Sequence, residues 1–237
     1  MKRIYKNKKI RFQFFNINLV GNINEPMDKE IFLFNTYENN QIIFLLENIN
    51  KFNPEYFLDI GANSGIYSLI ISNKFKNIKI KSFEPVAETI KKFQNNLKLN
   101  NKLKNIRLYK YGLSNKNLNL LMKAQIRNNY IQSGGYGVVR VGENLDNLHV
   151  EKNLFKIGDN VIKLKNKKIC IKIDTEGHEN EVLQGLKKLL TRNKIFLQIE
   201  IFKENFKKIN YILKKLKFRK TNSVTSDGKT DYYYVNY

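Results

Sequence analysis

Leu58-Asp-Ile-Gly-Ala-Asn-Ser-Gly65 decides how this chain is read. The stretch closes an apolar run that starts at Tyr56, after a turn led by Pro54, and opens onto a helix predicted over 66–72. Strand, tight glycine turn and helix start follow one another directly. Such a turn leaves backbone N–H groups bare and points the positive end of a helix dipole at whatever lies above it. Asp59 sits on the strand and Gly61 and Gly65 follow, giving the pattern D-x-G-x-x-x-G. A dinucleotide fingerprint reads G-x-G-x-x-G, and a P-loop needs Gly-Lys-Ser/Thr; neither is present at this turn. The Asp59 carboxylate suits a ligand that carries an ammonium group and no phosphate.

A second acid extends the pattern. The next apolar run, Ile78-Lys-Ile-Lys-Ser-Phe-Glu-Pro85, ends on Glu84, with Pro85 placed to open a helix. Glu84 lies about 20 residues beyond the glycine turn, where nucleoside-binding α/β folds place the carboxylate that accepts from ribose hydroxyls. Ammonium, ribose and no phosphate together describe S-adenosylmethionine (SAM). The competing assignment is structural: Asp59 caps the turn and Glu84 caps the helix from Val86, both ordinary work for acids.

A chain of 237 residues with 42% apolar content predicts one domain with a sizeable core. No apolar run approaches the roughly 18 residues that would span a bilayer. The N-terminus is charged, with no uninterrupted apolar stretch behind it, so it does not read as a signal peptide. The single cysteine, Cys170, falls in an apolar strand and has no internal partner, which suits a reducing cytoplasm. The formal charge of +22 has two accounts. Lysine is spread from end to end with heavy Asn and Ile usage, as the codons of an AT-rich genome would give. Alternatively, clusters at 2–11, 163–168 and 207–220 form a surface for nucleic acid, anionic lipid or an acidic substrate.

Residues 1–50 read as a lead-in packed on the core, ending in an amphipathic helix over 39–50. From Tyr56 the rhythm is strand, helix, strand: a helix to about Leu99, a strand over 106–111, then strands over 168–174 and 195–201 with helices over 179–190 and 204–216. The run at 168–174 is almost wholly apolar, as in a parallel sheet covered on both faces. The C-terminus alternates around Ser226-Asp-Gly228 as an antiparallel hairpin. The fold class is therefore α/β, a doubly wound, mostly parallel sheet, in a domain over 51–237. Residues 122–166 lack helical periodicity and hold Ser133-Gly-Gly-Tyr-Gly137; they read as a long loop or short hairpin inserted on the acceptor side.

The strand over 168–174 ends in Lys172-Ile-Asp-Thr-Glu-Gly-His-Glu179, which places Asp174 and Glu176 beyond the carboxyl ends of the strands, where open α/β sheets bind ligands. Taken with Asp59-Ile-Gly-Ala-Asn-Ser-Gly65, Glu84-Pro85 and Val182-Leu-Gln-Gly185, this resembles the FkbM-type methyltransferases, a class I SAM-dependent family, over residues 37–202. The resemblance includes Tyr37-Glu38 and Gly112-Leu-Ser114. It implies a Rossmann-like, seven-stranded sheet and an O-methyltransferase acting on a small-molecule or glycan hydroxyl, most naturally a saccharide. Carried over, Gly61, Asn63 and Gly65 form the turn under the methionine end, and Asp59 binds the ammonium. Glu84 takes the ribose, Glu38 and Gly112 complete the cofactor site, and the acids after Lys172 line the acceptor side. Residues 122–166 match the family poorly, so the acceptor is not inherited.

A hydroxyl must lose its proton on methylation, which calls for a general base or a divalent cation. Asp174 is the first choice as base or metal ligand, with Glu176 and His178 the other catalytic candidates. Asp174, Glu176 and Glu200 offer oxygen ligands suited to Mg²⁺, Asp174 and Glu200 foremost. Glu176 and Glu179 serve equally as helix caps, His178 reads also as a solvent-facing loop residue, and Lys172 as the partner of an ion pair with Asp174. The charge keeps a ribose 2′-O-methyltransferase in view, although Asp-Thr-Glu-Gly replaces the Asp/Asn-Pro-Pro-Tyr/Phe of base amino-methylases. A SAM-binding scaffold without turnover, and peripheral membrane association through the basic, aromatic N-terminus, are the remaining alternatives.

Overall fold

The computed structural model describes residues 9–127, 130–226 and 229–237. The predicted turn at Ser226-Asp-Gly228 and most of the first basic cluster therefore lie outside the described residues. At the N-terminal end, β1 (Lys9–Phe14) and β2 (Ile17–Asn22) pair as an antiparallel hairpin, followed by α1 (Pro26–Phe34) and α2 (Asn39–Phe52). Backbone N–H groups of Asn18 and Val20 donate to the side-chain oxygens of Asn100 and Asn96, and Lys92 pairs with buried Asp28 at 2.7 Å. These bonds tie the hairpin and α1 to the helix that follows Glu84.

The central sheet has seven strands. In chain order these are β3 (Tyr56–Ile60), β4 (Lys79–Phe83) and β5 (Ile106–Tyr109), with α3 (Ile66–Lys74) and α4 (Ala87–Leu99) between them. Past an added segment come β11 (Lys168–Ile173), α6 (Glu179–Gly185), α7 (Lys187–Arg192), β12 (Lys194–Glu200), α8 (Phe206–Lys215), β13 (Arg219–Ser226) and β14 (Lys229–Val235). The spatial order is β13-β14-β12-β11-β3-β4-β5. The five strands from β12 to β5 are parallel, and β14 runs antiparallel to both of its neighbours. The order reverses between β3 and β11, which opens the crevice of a doubly wound sheet at their carboxyl ends.

Two-residue periodicity divides the side chains. Ile169, Ile171 and Ile173 of β11 bury against the α6–α8 layer with Leu197, Ile199 and Leu213. Phe57, Cys170, Phe196 and Tyr233 face the other layer, with α2 and α3. Fully buried polar residues of the central strands keep to this second face: Asp59, Ser82, Lys172 and Gln198 form one register row across β4, β3, β11 and β12. A face holding such a row is committed to a polar ligand or to internal ion pairing.

The added segment is a second sheet. β6 (Gly112–Ser114) lies beside β10 (Leu148–Ile157), which pairs antiparallel with β7 (Leu118–Arg127) from Leu148↔Gln125 to Phe155↔Leu118. Two-residue strands β8 (Tyr130–Ile131) and β9 (Gly137–Val138) flank β7, and α5 (Gly158–Val161) returns the chain to β11. The loop or short hairpin expected over 122–166 is thus a long two-stranded ladder that begins before it, at Leu118. Its apolar positions alternate (Met122, Ala124, Phe155), so the signal was strand periodicity and not the absence of helical periodicity. The helix expected over 179–190 is broken into α6 and α7 at Leu186.

Candidate active site

The glycine turn closes β3 by a crossing of chains. Gly61 and Ala62 donate to the Phe83 carbonyl at the end of β4. Gly61 has φ +81°, and a Cβ there would come within 1.7 Å of the Asp174 carbonyl oxygen. Gly65, with φ +84°, lies so close to the Phe93 ring that a Cβ would meet it at 2.1 Å. Both positions are closed to other residues by conformation and by contact. α3 then starts with Gly65 as its N-terminal flanking residue and no side chain capping it.

Glu84 is 5% exposed and receives the Asn63 N–H (2.8 Å), the Val86 N–H (3.0 Å) and the Thr89 hydroxyl (2.9 Å). Burial outweighs these donors and pushes its carboxyl up to about 7. Glu84 thus ties down the entry to α4, which no side chain caps, and also lines the cavity. Asp59 accepts from Ser68 of α3 at 2.5 Å, and Ser68 meets Ser82 at 2.7 Å. Burial raises Asp59, opposed by the Lys172 ammonium.

Asp59, Gly61, Asn63, Glu84, Gly112, Asp174, Glu176 and His178 line one cavity, roofed by Met122, Tyr136 and Phe155 of the second sheet. Gly65 and Glu38 are not among its lining residues; Glu38 lines an adjoining cavity. Two polar atoms of its lining residues, Asn63 Oδ1 and Tyr136 Oη, are buried without a hydrogen-bond partner among the described residues. Unsatisfied buried polar groups cost free energy unless a ligand or water meets them. A turn of bare N–H groups, a buried carboxylate for hydroxyls and orphaned polar atoms fit an adenosyl ligand with an amino-acid tail.

Past β11, Asp174 is half-buried with Oδ2 2.8 Å from Lys172 Nζ. Burial works to raise Asp174, but Lys172 and Lys229 together hold it below the usual carboxylate range. Lys172 is itself enclosed, 4.4 Å over the Tyr67 ring, and its carboxylate neighbours hold it well above the ordinary lysine value despite burial. Glu176, at φ +49°, meets Lys229 at 3.0 Å, and Lys229 also meets Glu200 at 3.2 Å. Burial and the Asp174 charge push both Glu176 and Glu200 upward. His178 is buried, not turned to solvent: Nε2 lies 3.0 Å from Ser114 Oγ and the ring packs edge-on to Phe155. Burial lowers its pKa. Glu179 accepts from Thr175 and Gly177 in the turn before α6, which no side chain caps.

The carboxylates that converge are Glu38, Asp174 and Glu200, with oxygens within 4.8 Å of one another. Glu38 thus joins the acid group in place of Glu176; it flanks the start of α2 and accepts from Tyr67 at 2.7 Å. Sequence reasoning did not single out Lys229, Tyr67, Ser68, Asp231 or Tyr136. Alternation along β14 could have placed Asp231 on the polar face. Nothing in the sequence marked Lys229, the first residue of β14.

Fold and site together define a class I SAM-dependent methyltransferase. The family model for the methyltransferase FkbM domain matches residues 59–220, more than half of the chain, and the chain belongs to that family. It is similar to Methyltransferase 1 of Beauveria bassiana (strain ARSEF 2860), 25% identical over 178 residues that cover 68% of this chain and 67% of the relative. In fold it resembles precorrin-6y C5,15-methyltransferase from Geobacter metallireducens GS-15 (TM-score 0.50, 14% identity, 83% of this chain and 87% of that one). A caffeoyl-CoA O-methyltransferase homologue from Staphylococcus aureus gives TM-score 0.50 at 10% identity, over 84% and 85% of the two chains. No helix among the described residues is long and apolar enough to cross a membrane.

Proposed function

We propose that the protein methylates a hydroxyl group, with a saccharide as acceptor and the cytoplasm as setting. The observation that carries this reading is the Lys172–Asp174 pair at the cavity wall. It supplies one carboxylate held ionised where a hydroxyl proton must be taken up.

Bound SAM supplies a methyl group made electrophilic by its sulfonium. The chain's residues do the rest. Gly61, Asn63 and Gly65 shape the turn under the methionine end, Asp59 lies beside it, and Glu84 offers its carboxylate to the ribose hydroxyls. Gly112 brings β6 close on the far wall, and Glu38 closes the side next to Asp174. In-line displacement gains most from holding the two reactants in register. Asp174 accepts the hydroxyl proton; Lys172 keeps it ionised at neutral pH, at the expense of its strength as a base. Glu176 and Glu200, raised by burial, hold protons more readily. His178, kept neutral and bonded to Ser114, positions the roof.

The Mg²⁺ expectation rests only on the grouping of Glu38, Asp174 and Glu200, and the Lys229 ammonium already supplies positive charge there. The test is release of S-adenosylhomocysteine over a panel of saccharides, with Asp174→Asn as control. Methyl transfer to a sugar oxygen, falling roughly 10²–10⁴-fold in the variant while S-adenosylhomocysteine still binds, is the expected result. Transfer confined to RNA ribose would overturn the saccharide.

A further inference from the structure

Phe206-Lys-Lys-Ile-Asn-Tyr-Ile-Leu-Lys-Lys215 gives α8 two unlike faces. Ile209 and Leu213 are buried against the sheet, with Phe206 and Ile212 packed beside them. Lys207, Lys208, Tyr211, Lys214 and Lys215 are exposed, and their spacing sets them on one side along about 15 Å of helix. α8 carries no acid, whereas α2 sets Glu47 against Lys51 and α4 sets Glu88 against Lys91. Over the wider stretch 203–220, Glu204 is the single acid. Among the described residues none of the four exposed lysines of α8 is in an ion pair.

A lysine-rich composition spreads charge and does not require this arrangement. Lys207 and Lys208 occupy the first turn of α8, where the helix dipole disfavours cations, and like charges massed on one face repel. An anionic surface laid over the face relieves both costs. Tyr211 stands among the lysines, 58% exposed, with Lys215 Nζ 4.5 Å over its ring. An apolar ring with a polar tip suits the boundary between lipid and water.

The chemistry of the face also separates its possible occupants. Lysines are compact point charges without the planar fork with which arginine grips single phosphates. Single-stranded nucleic acid is held in a charged groove by successive stacked aromatics, whereas α8 lines neither cavity and exposes one aromatic among its lysines. A second copy of the chain brings a further +22 and is repelled. A diffuse layer of negative charge is the best match.

We infer that the exposed face of α8 docks the protein on an anionic lipid surface, through Lys207, Lys208, Lys214 and Lys215 with Tyr211 between them. α8 starts just past the carboxyl end of β12, so the docking face reaches the end of the sheet at which the donor cavity lies. The contact is electrostatic and peripheral, and the apolar face of α8 stays in the core.

The test is co-flotation of the full chain with vesicles of phosphatidylcholine, with and without phosphatidylserine, at rising salt. One variant changes Lys207, Lys208, Lys214 and Lys215 to Gln. A second removes the same charge from the opposite layer, with Lys51, Lys91, Lys98 and Lys102 changed to Gln; all eight side chains are exposed. Wild type is expected to float with phosphatidylserine vesicles only, and to be released by salt. The α8 variant should bind roughly a hundredfold more weakly or worse, and the second variant within a few-fold of wild type. Equal loss in the two variants would assign binding to net charge alone and overturn the inference, as would flotation indifferent to phosphatidylserine. Poly(U) binding lost in the α8 variant while its vesicle binding is unchanged would give the face to nucleic acid instead.

Discussion

Lys172 of β11 and Asp174, the first residue past its end, hold Nζ and Oδ2 2.8 Å apart, with Tyr67 beneath the ammonium. Alternation along the strand puts Lys172 on the polar face, and its register pairing with Asp59 brings a second carboxylate alongside. One buried cation thus serves several acids. Removing it leaves them uncompensated in a site with little water, the costliest way to break a buried pair. Lys172→Met is expected to lower unfolding free energy by about 3 kcal/mol, the lower end of the usual range because Asp174 is partly open. Denaturant melts would show it. The signs are clear: Asp174, depressed, contributes stability above its unfolded pKa and loses it as pH falls; Lys172, raised, contributes below its unfolded pKa and loses it only at strongly alkaline pH. Equal stability of wild type and variant at neutral pH would remove the pair from the account.

Gly61 holds the turn and the end of β11 together. A methyl group at this position faces a backbone carbonyl, that of Asp174, which cannot turn aside as a side chain would. The left-handed backbone alone costs roughly 1–2 kcal/mol for a non-glycine residue. Gly61→Ala is expected to displace Asp174 and abolish S-adenosylhomocysteine binding in calorimetry, with a lowered melting temperature. Gly65→Ala presses on the Phe93 ring and is expected to be as damaging, because Phe93 is wholly buried. Binding within a factor of a few of wild type in Gly61→Ala would mean that the crossing is not needed.

The central sheet was legible because its signals are local. Apolar runs closing near Asp59, Glu84 and Asp174, each followed by a helix, gave the succession of strands along the chain and the position of the crevice. The second sheet was obscured because β7 and β10 are joined by a long intervening segment, and pairing across that separation leaves only weak alternation in each strand. The site divided similarly. Asp59, Glu84, Asp174 and His178 sit in motifs, whereas Lys229 reaches Glu176 and Glu200 only because β14 inserts antiparallel beside β12. That contact belongs to topology and has no sequence signature. Glu38 was placed at the cofactor from the resemblance alone; its closeness to Glu200 depends on how α2 docks across the sheet.

Glu84 should couple binding to pH. Its carboxyl lies near 7 in the ligand-free protein, raised from the model-compound value of 4.5 by burial. The folded chain therefore holds a proton there that the unfolded chain gives up, and this group's contribution to stability falls as pH rises from 4.5 to about 7. Ribose hydroxyls donating to Glu84 favour the ionised form, so binding releases that proton. S-adenosylhomocysteine affinity is expected to rise by up to about tenfold per pH unit toward pH 7 and then level. Calorimetry in buffers of different ionisation enthalpy would detect the proton at pH 6. Glu84→Gln should bind more weakly and without this slope; a slope that survives the substitution would assign the proton to another group.

Lys229 acts as the chain's own cation in the acid group. Its ammonium touches Glu176 and Glu200, and neighbouring Asp174, Glu176 and Glu200 together hold its pKa above the ordinary lysine value against the effect of burial. An ion bound by Glu38, Asp174 and Glu200 would have to share or displace that charge. Wild-type activity is therefore expected to survive EDTA, and wild-type melting to be indifferent to Mg²⁺. Lys229→Met frees Glu200, which with Glu38 and Asp174 offers oxygens within 4.8 Å of one another, a geometry suited to a hard divalent cation. The variant should lose stability without added metal and regain it with Mg²⁺, by roughly 2.7 kcal/mol at a hundred times the Kd. Thermal melts of both proteins with and without Mg²⁺ decide the matter. Wild-type activity that EDTA removes and Mg²⁺ restores would show that a metal, and not Lys229, balances these acids during turnover.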